Sequence, residues 1–301
     1  MRTTSLRAAL ATNCVFSACT GFLMLAFPAD VANRIGFNEQ AVLQFVGGLL
    51  VLFAAVLLYA AWLSKSPQPI ALVASFADFT WVVGTAALGI AAPSLFSAVG
   101  WGVATAVALM VMICGIWQIM GIDLSYRDNS RLGWMRLCLE TQMDASAAAI
   151  WKIVSDLEAI ADHSPMLASS RITYFDDRYG VFTRQCHDKN GKCWSENIQL
   201  NQKRMQLNAE FDTAKPGFPF PFAAMLGGWQ VEPAGTSATV TVWWSMLPRH
   251  RAFAFLIIPI MELFIIMSFR HTLVNIRNAA ANEAQAGHAT RQTRRLQMVV
   301  C

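Results

Sequence analysis

Charge is what this sequence has least of. Asp, Glu, Lys and Arg make up 14% of its 301 residues and hydrophobic types 55%, where soluble domains carry roughly 25% charged residues. The deficit is uneven: the first 125 residues hold few charges, and the remainder reads like a soluble protein. The net charge of +4 is small and lies partly in Arg291, Arg294 and Arg295. There is no basic stripe with interleaved aromatics, so a nucleic-acid partner is not expected. The GxSxG, HExxH, P-loop and GxGxxG patterns are all missing. None of the seven cysteines is spaced as CxxC or as a zinc ribbon. Cys14, Cys19 and Cys114 sit in apolar runs, where Cys behaves as a small hydrophobe, and all seven read as free thiols in a reducing compartment. Met298–Cys301 is not a prenylation box, which needs Cys fourth from the end. No cofactor and no metal is expected.

What is present begins with four apolar runs, Ala8–Phe27, Ala41–Leu63, Ile70–Ile90 and Leu95–Met120. Each has the length, about 20 residues, that spans a bilayer as a helix. The first is too long for a signal-peptide core, and three more follow it. Arg2, Arg7, Lys65, Arg127, Arg131 and Arg136 flank the runs on one side. By the positive-inside rule both chain ends are expected in the cytoplasm, with a bacterial inner membrane as the expected location. Asp78, near the middle of the third run, reads either as a functional carboxylate or as a hydrogen-bonded tie to Asn13 or Gln44. Gly47, Gly48, Gly84 and Gly89 suggest close helix packing.

From about Arg131 the pattern changes. A strand is predicted over Leu132–Met143 and a helix over Ala147–Leu157, capped by Asp144 or Ser146. A short helical stretch then ends at Pro165. Five or six strands follow, about Ser170–Asp176, Val181–Asp188, Lys192–Asn201, Arg204–Asp212, Ala224–Glu232 and Ser237–Leu247, with turns at Asp176-Asp177, Lys189-Asn190-Gly191, Asn201-Gln202 and Pro233-Ala234-Gly235. A long helix from about Arg251 to Ala286 closes the domain. Strands gathered together with helices segregated make an α+β architecture. The expected organisation is a four-span bundle over residues 1–125, an α+β ligand-binding domain over 126–286, and a basic disordered tail over 287–301.

The segment from Met143 to Glu158, with Asp144-Ala145, Val154, Trp151 and Asp156-Leu157-Glu158, resembles the opening of START-like domains. This superfamily is also called SRPBCC or polyketide-cyclase-like. Arg184–Glu196 and Gly227–Pro233 extend the likeness, which covers about residues 131–285. The resemblance implies a helix-grip fold, in which a curved antiparallel sheet wraps the last helix and leaves a cavity. Members of the superfamily bind lipids, sterols, hormones or polyketides, and some are enzymes.

Strand alternation locates the cavity wall. Asp188 and Gly191 suit a three-residue loop with a left-handed glycine. That register pairs Cys186 with Trp194, Arg184 with Glu196, and Phe182 with Ile198; a slip of one residue would turn the apolar side chains to solvent. Arg184 and Glu196 then form an ion pair on the concave face. Phe182, Trp194, Met205, Phe211, Trp229 and Trp244 are the candidate apolar wall, either as ligand lining or as core packing. Glu196 is the candidate base of an enzyme. Alternation sets Cys186 and His187 on opposite faces, against a metal site. Lys215–Phe222, with alternating Pro and Phe, reads as a pocket rim or lid, or as an edge loop. Phe253–Phe269 is apolar enough to raise a fifth span, but Glu262 would then cost roughly 2.5 kcal/mol or more. Its preferred role is the closing helix.

Three functions fit these residues. The first is a membrane-anchored module that binds or transfers a lipid or other hydrophobic molecule. The second is a cyclase- or dehydratase-like enzyme using the Glu196/Arg184 pair. The third is a membrane sensor or assembly factor in which Asp78 reports to the bundle.

Overall fold

The computed structural model describes residues 3–215, 218–285 and 298–300. They fall into two compact units, a helical one built on the chain through Tyr126 and one that holds the whole sheet.

The helical unit contains α1 (Thr4–Ala26), α2 (Pro28–Ile35), α3 (Gln40–Leu58), α4 (Gln68–Ala91) and α5 (Ala98–Tyr126). The short α2 falls where the sequence suggested only a loop. Pro28 begins it, and Gly36 ends it at φ 69, the left-handed conformation that closes many helices. α1 packs on α3 and α5, and α4 packs on α5, whereas α3 and α4 touch little. Small residues let α1 and α3 approach closely. A Cβ on Gly21 would stand 2.7 Å from the carbonyl oxygen of Gly47, and one on Gly47 would stand 2.9 Å from that of Gly21. Gly48 and Gly84 do not share this role, since nothing lies within 4 Å of a Cβ built there; one residue along a helix turns the side chain by about 100°. Gly89 makes only ordinary contact with Trp101. After α3 the last turn widens into a π-helical segment, Tyr59–Leu63. Arg7 donates to the carbonyls of Ala61 and Ser64 at 2.6 and 2.8 Å, which satisfies acceptors that a helix end leaves open. Phe45 is 68% exposed and Ile90 85%, so the unit turns large apolar side chains outward.

The second unit begins with β1 (Met135–Met143), α6 (Ala147–Ser155) and α7 (Ile160–His163). Then come β2 (Leu167–Asp176), β3 (Val181–Asp188), β4 (Cys193–Asn201), β5 (Gln206–Phe211), β6 (Phe222–Ala234) and β7 (Ser237–Pro248), followed by α8 (Ala254–Gln285) and β8 (Met298–Val300). The strand order is β2-β3-β4-β5-β6-β7-β1-β8, and every neighbouring pair is antiparallel. From β2 to β7 each strand pairs with the next, whereas β1 lies beside β7 and β8 beside β1, both across long stretches of chain. Ser146, not Asp144, caps α6: its Oγ accepts the Ala149 amide at 3.2 Å. Ile150, Trp151, Ile153 and Val154 are buried. With the long α8 against the sheet's cavity-lining face, this is the helix-grip arrangement of START-like domains.

Two readings change. Met298–Val300, taken as part of a disordered tail, form a strand on β1; residues 286–297 lie outside the described residues. Cys138 is disulfide-bonded, not a free thiol, whereas Cys14, Cys19, Cys114, Cys186 and Cys193 are free.

Among the described residues, five helices are long and apolar enough to cross a membrane: α1, α3 with its π-helical extension, α4, α5 and the segment Arg251–Asn282. Pro259 lies inside α8 without ending it.

Candidate ligand cavity

The hairpin of β3 and β4 sets the polar centre. Asp188 accepts two loop amides through Oδ1, from Asn190 and Lys192, each at 2.8 Å, and Gly191 takes φ 82. The register is therefore the three-residue-loop one: Cys186 faces Trp194, Arg184 faces Glu196, and Phe182 faces Ile198. The Arg184 Nη2 donates to Glu196 Oε2 at 2.5 Å. The Trp194 indole donates to Glu196 Oε1 at 2.6 Å, and Arg184 Nη1 reaches the Leu157 carbonyl at 3.4 Å. The two charged side chains are only 12% and 5% exposed.

Burial opposes the Arg184 charge, but the Glu196 carboxylate, then Cys186 and the hydrogen bond to Glu196, outweigh it and hold the guanidinium above its ordinary value. Burial, followed by the adjacent Glu196 charge, pushes the Cys186 thiol up to about 12. One donor is left over. Arg184 Nε is buried and has no hydrogen-bond partner among the described residues, a deficit that ordinarily costs about 1–3 kcal/mol or more for a charged group.

These residues line a cavity of about 360 Å³, within the range of small-molecule sites. The sheet contributes Arg184, Glu196, Trp194, Phe211, Trp229 and Trp244. Six of the eight wall positions expected from the sequence thus meet at one place. The other two do not. Phe182 stacks on Phe175 of the edge strand β2, with centroids 4.4 Å apart. Met205 is not in a strand: it turns the chain at φ 47, and its carbonyl accepts the Val231 amide at 3.0 Å. A residue in that conformation no longer follows the alternation on which its assignment rested.

α8 supplies a wall that the sequence did not single out. Met261, Ile265 and Phe269 recur every four residues and line the cavity with Phe264 and Thr272. Phe269 lies edge-on to Trp244 at 4.7 Å and tilted to Trp229 at 5.9 Å. The spacing is visible in the sequence, but a helix apolar on all sides gives no reason to choose one stripe. Gly227 makes room for the aromatic wall, since a Cβ there would lie 3.1 Å from Phe211 and 3.3 Å from Trp244. In the Pro/Phe segment, Phe220 lines the cavity and packs on Phe218 at 5.6 Å. Chemically the site is an apolar slot with one charged pair. Both oxygens of Glu196 already accept hydrogen bonds, from Arg184 and from the Trp194 indole.

No family model matches the chain, and no curated protein matches its sequence. Solved structures do resemble about half of it. The Zhui aromatase/cyclase from Streptomyces sp. R1128 is 13% identical at a TM-score of 0.44, over 52% of this chain and 99% of that one. A START superfamily protein from Mycobacterium smegmatis is 14% identical at 0.40, over 49% and 98%. A point mutant of norcoclaurine synthase from Thalictrum flavum is 15% identical at 0.40, over 50% and 96%. At TM-scores below 0.5 these likenesses carry no argument, and the fold rests on the strand order and the closing helix.

Proposed function

We propose that the second unit binds a hydrophobic small molecule or lipid, and that the helical unit anchors it in a membrane. The observation that carries this reading is the cavity of about 360 Å³ between aromatic strand residues and α8, with the unpartnered Arg184 Nε at its wall. Buried polar groups in native proteins are nearly always paired. An oxygen on the bound molecule would complete the guanidinium, while Trp194, Trp229, Trp244 and Phe211 hold its apolar body. Anchoring is supported by the four long apolar helices of the helical unit, α1, α3, α4 and α5, and the positions of Arg2, Arg7, Lys65 and Arg127 favour cytoplasmic ends in a bacterial inner membrane.

The test is extraction and mass spectrometry of the full chain purified in detergent, beside Ala209→Leu. Ala209 is buried on the cavity wall, and the larger side chain fills the slot. One apolar species should accompany the wild type and fall at least about tenfold in the variant, the worth of roughly one well-placed contact. Identical extracts from both would remove the ligand-carrier reading.

A further inference from the structure

The helical unit holds a second cavity, of about 230 Å³, which is independent of the one in the sheet unit. It lies where α3 and α4 fail to pack against each other. Phe53 and Leu49 come from α3, Trp81 and Ala77 from α4, and Ser17 from α1. Leu49 and Trp81 are also exposed on the outer surface. The cleft therefore opens sideways, where lipid would stand if the helices span a bilayer.

Its one ionisable side chain is Asp78, which is 3% exposed. Oδ2 accepts the Asn13 amide at 2.8 Å and the Gln118 amide at 3.2 Å. Oδ1 accepts no hydrogen bond among the described residues. No Lys, Arg or His lines the cleft to balance a charge. Two helices thus hold one oxygen of the carboxyl group in place and leave the other without a partner beside apolar space. A group so placed in an apolar bundle is costly unless something pairs with it.

We propose that this cleft takes the hydroxyl-bearing head of an apolar, lipid-phase molecule. A hydroxyl is the head group that suits Asp78 in either protonation state: it donates to a carboxylate and accepts from a carboxyl proton. The volume is below that of ordinary small-molecule sites, so it admits a head and leaves the tail outside along α3 and α4. Phe16, Phe53 and Trp81 form the walls around that head.

The experiment uses the full chain in vesicles of a single phosphatidylcholine. Two photoactivatable probes are compared, a diazirine-bearing hexadecanol and the matching hydrocarbon without the hydroxyl. The alcohol should label α3 and α4 peptides about fivefold to tenfold more than the hydrocarbon, the worth of one hydrogen bond in an apolar medium. Asp78→Leu should bring the two probes level. Ala77→Trp, which keeps Asp78 and adds bulk at an exposed cleft position, should abolish the alcohol adduct even if Asp78→Leu does not fold. Equal labelling by both probes, adducts that Ala77→Trp leaves unchanged, adducts outside the helices that line the cleft, or no adduct because a second copy covers the cleft would each overturn the proposal.

Discussion

Each unit buries a polar centre beside a cavity, and the two are built differently. In the sheet unit, Arg184, Glu196 and Trp194 form a charged cluster beside a cavity, with one donor unmet. In the helical unit, Asp78 collects neutral amides: Asn13 and Gln118 donate to it, Ser17 donates to Asn13, and Ser75 donates to Gln118. Gln44, the other partner considered for Asp78, is exposed. The first centre rests on a strong pair whose members cannot be removed singly. The second spreads a smaller energy over several weak bonds between helices. A charged pair needs a fixed partner, whereas a polar network among apolar helices can trade donors at modest cost.

Breaking the stronger centre should show this first. Arg184→Met strands the Glu196 carboxylate and should cost about 3–5 kcal/mol, read as heat unfolding of the sheet unit by tryptophan fluorescence; the double change with Glu196→Leu should recover most of it. If the double variant is no better than the single one, the pair is not the reason for the loss. Next in size is Trp194→Phe, which keeps a ring but removes the indole donor to Glu196. A hydrogen bond to a charged group is worth about 1.5–3 kcal/mol, and the loss should vanish in a Glu196→Leu background.

In the helical unit, Asn13→Val removes the shorter of the two donors to Asp78. The expected cost is only about 1 kcal/mol, measured by denaturation of the full chain in detergent. A loss as large as that of Arg184→Met would erase the contrast between the two centres. The smallest effect concerns Cys186. Its folded value is raised from 9.0 to about 12, so the unfolded chain ionises first as pH rises. The stability tied to the neutral thiol is intact below about pH 9 and declines from there toward pH 12. At pH 9.5 wild type should therefore lose less than about 1 kcal/mol relative to Cys186→Ala. The same shift leaves about a thousandfold less thiolate than an ordinary thiol has, so alkylation at pH 8 should be correspondingly slow.

Much of this was legible in residue order. The four N-terminal helices follow from run length, and the β3/β4 pairing follows from Asp188, Gly191 and the need to keep Trp194 and Ile198 inside. Arg184 and Glu196 could be placed opposite one another because side chains alternate along a strand with a period of two. The same rule failed at Met205 because a left-handed residue breaks the period.

Local periodicity and turn chemistry by themselves determined the long helices, the strands β1 to β7, the hairpin register and the charged pair, since each depends on neighbours close in the chain or across one tight turn; α2 and β8 were not among them. Only the tertiary structure decided which stripe of α8 meets the sheet, that Phe182 leaves the cavity wall for Phe175, and that Asn13 and Gln118 converge on one oxygen of Asp78. Those outcomes depend on how distant segments pack, and an apolar side chain carries no mark of the partner that will cover it.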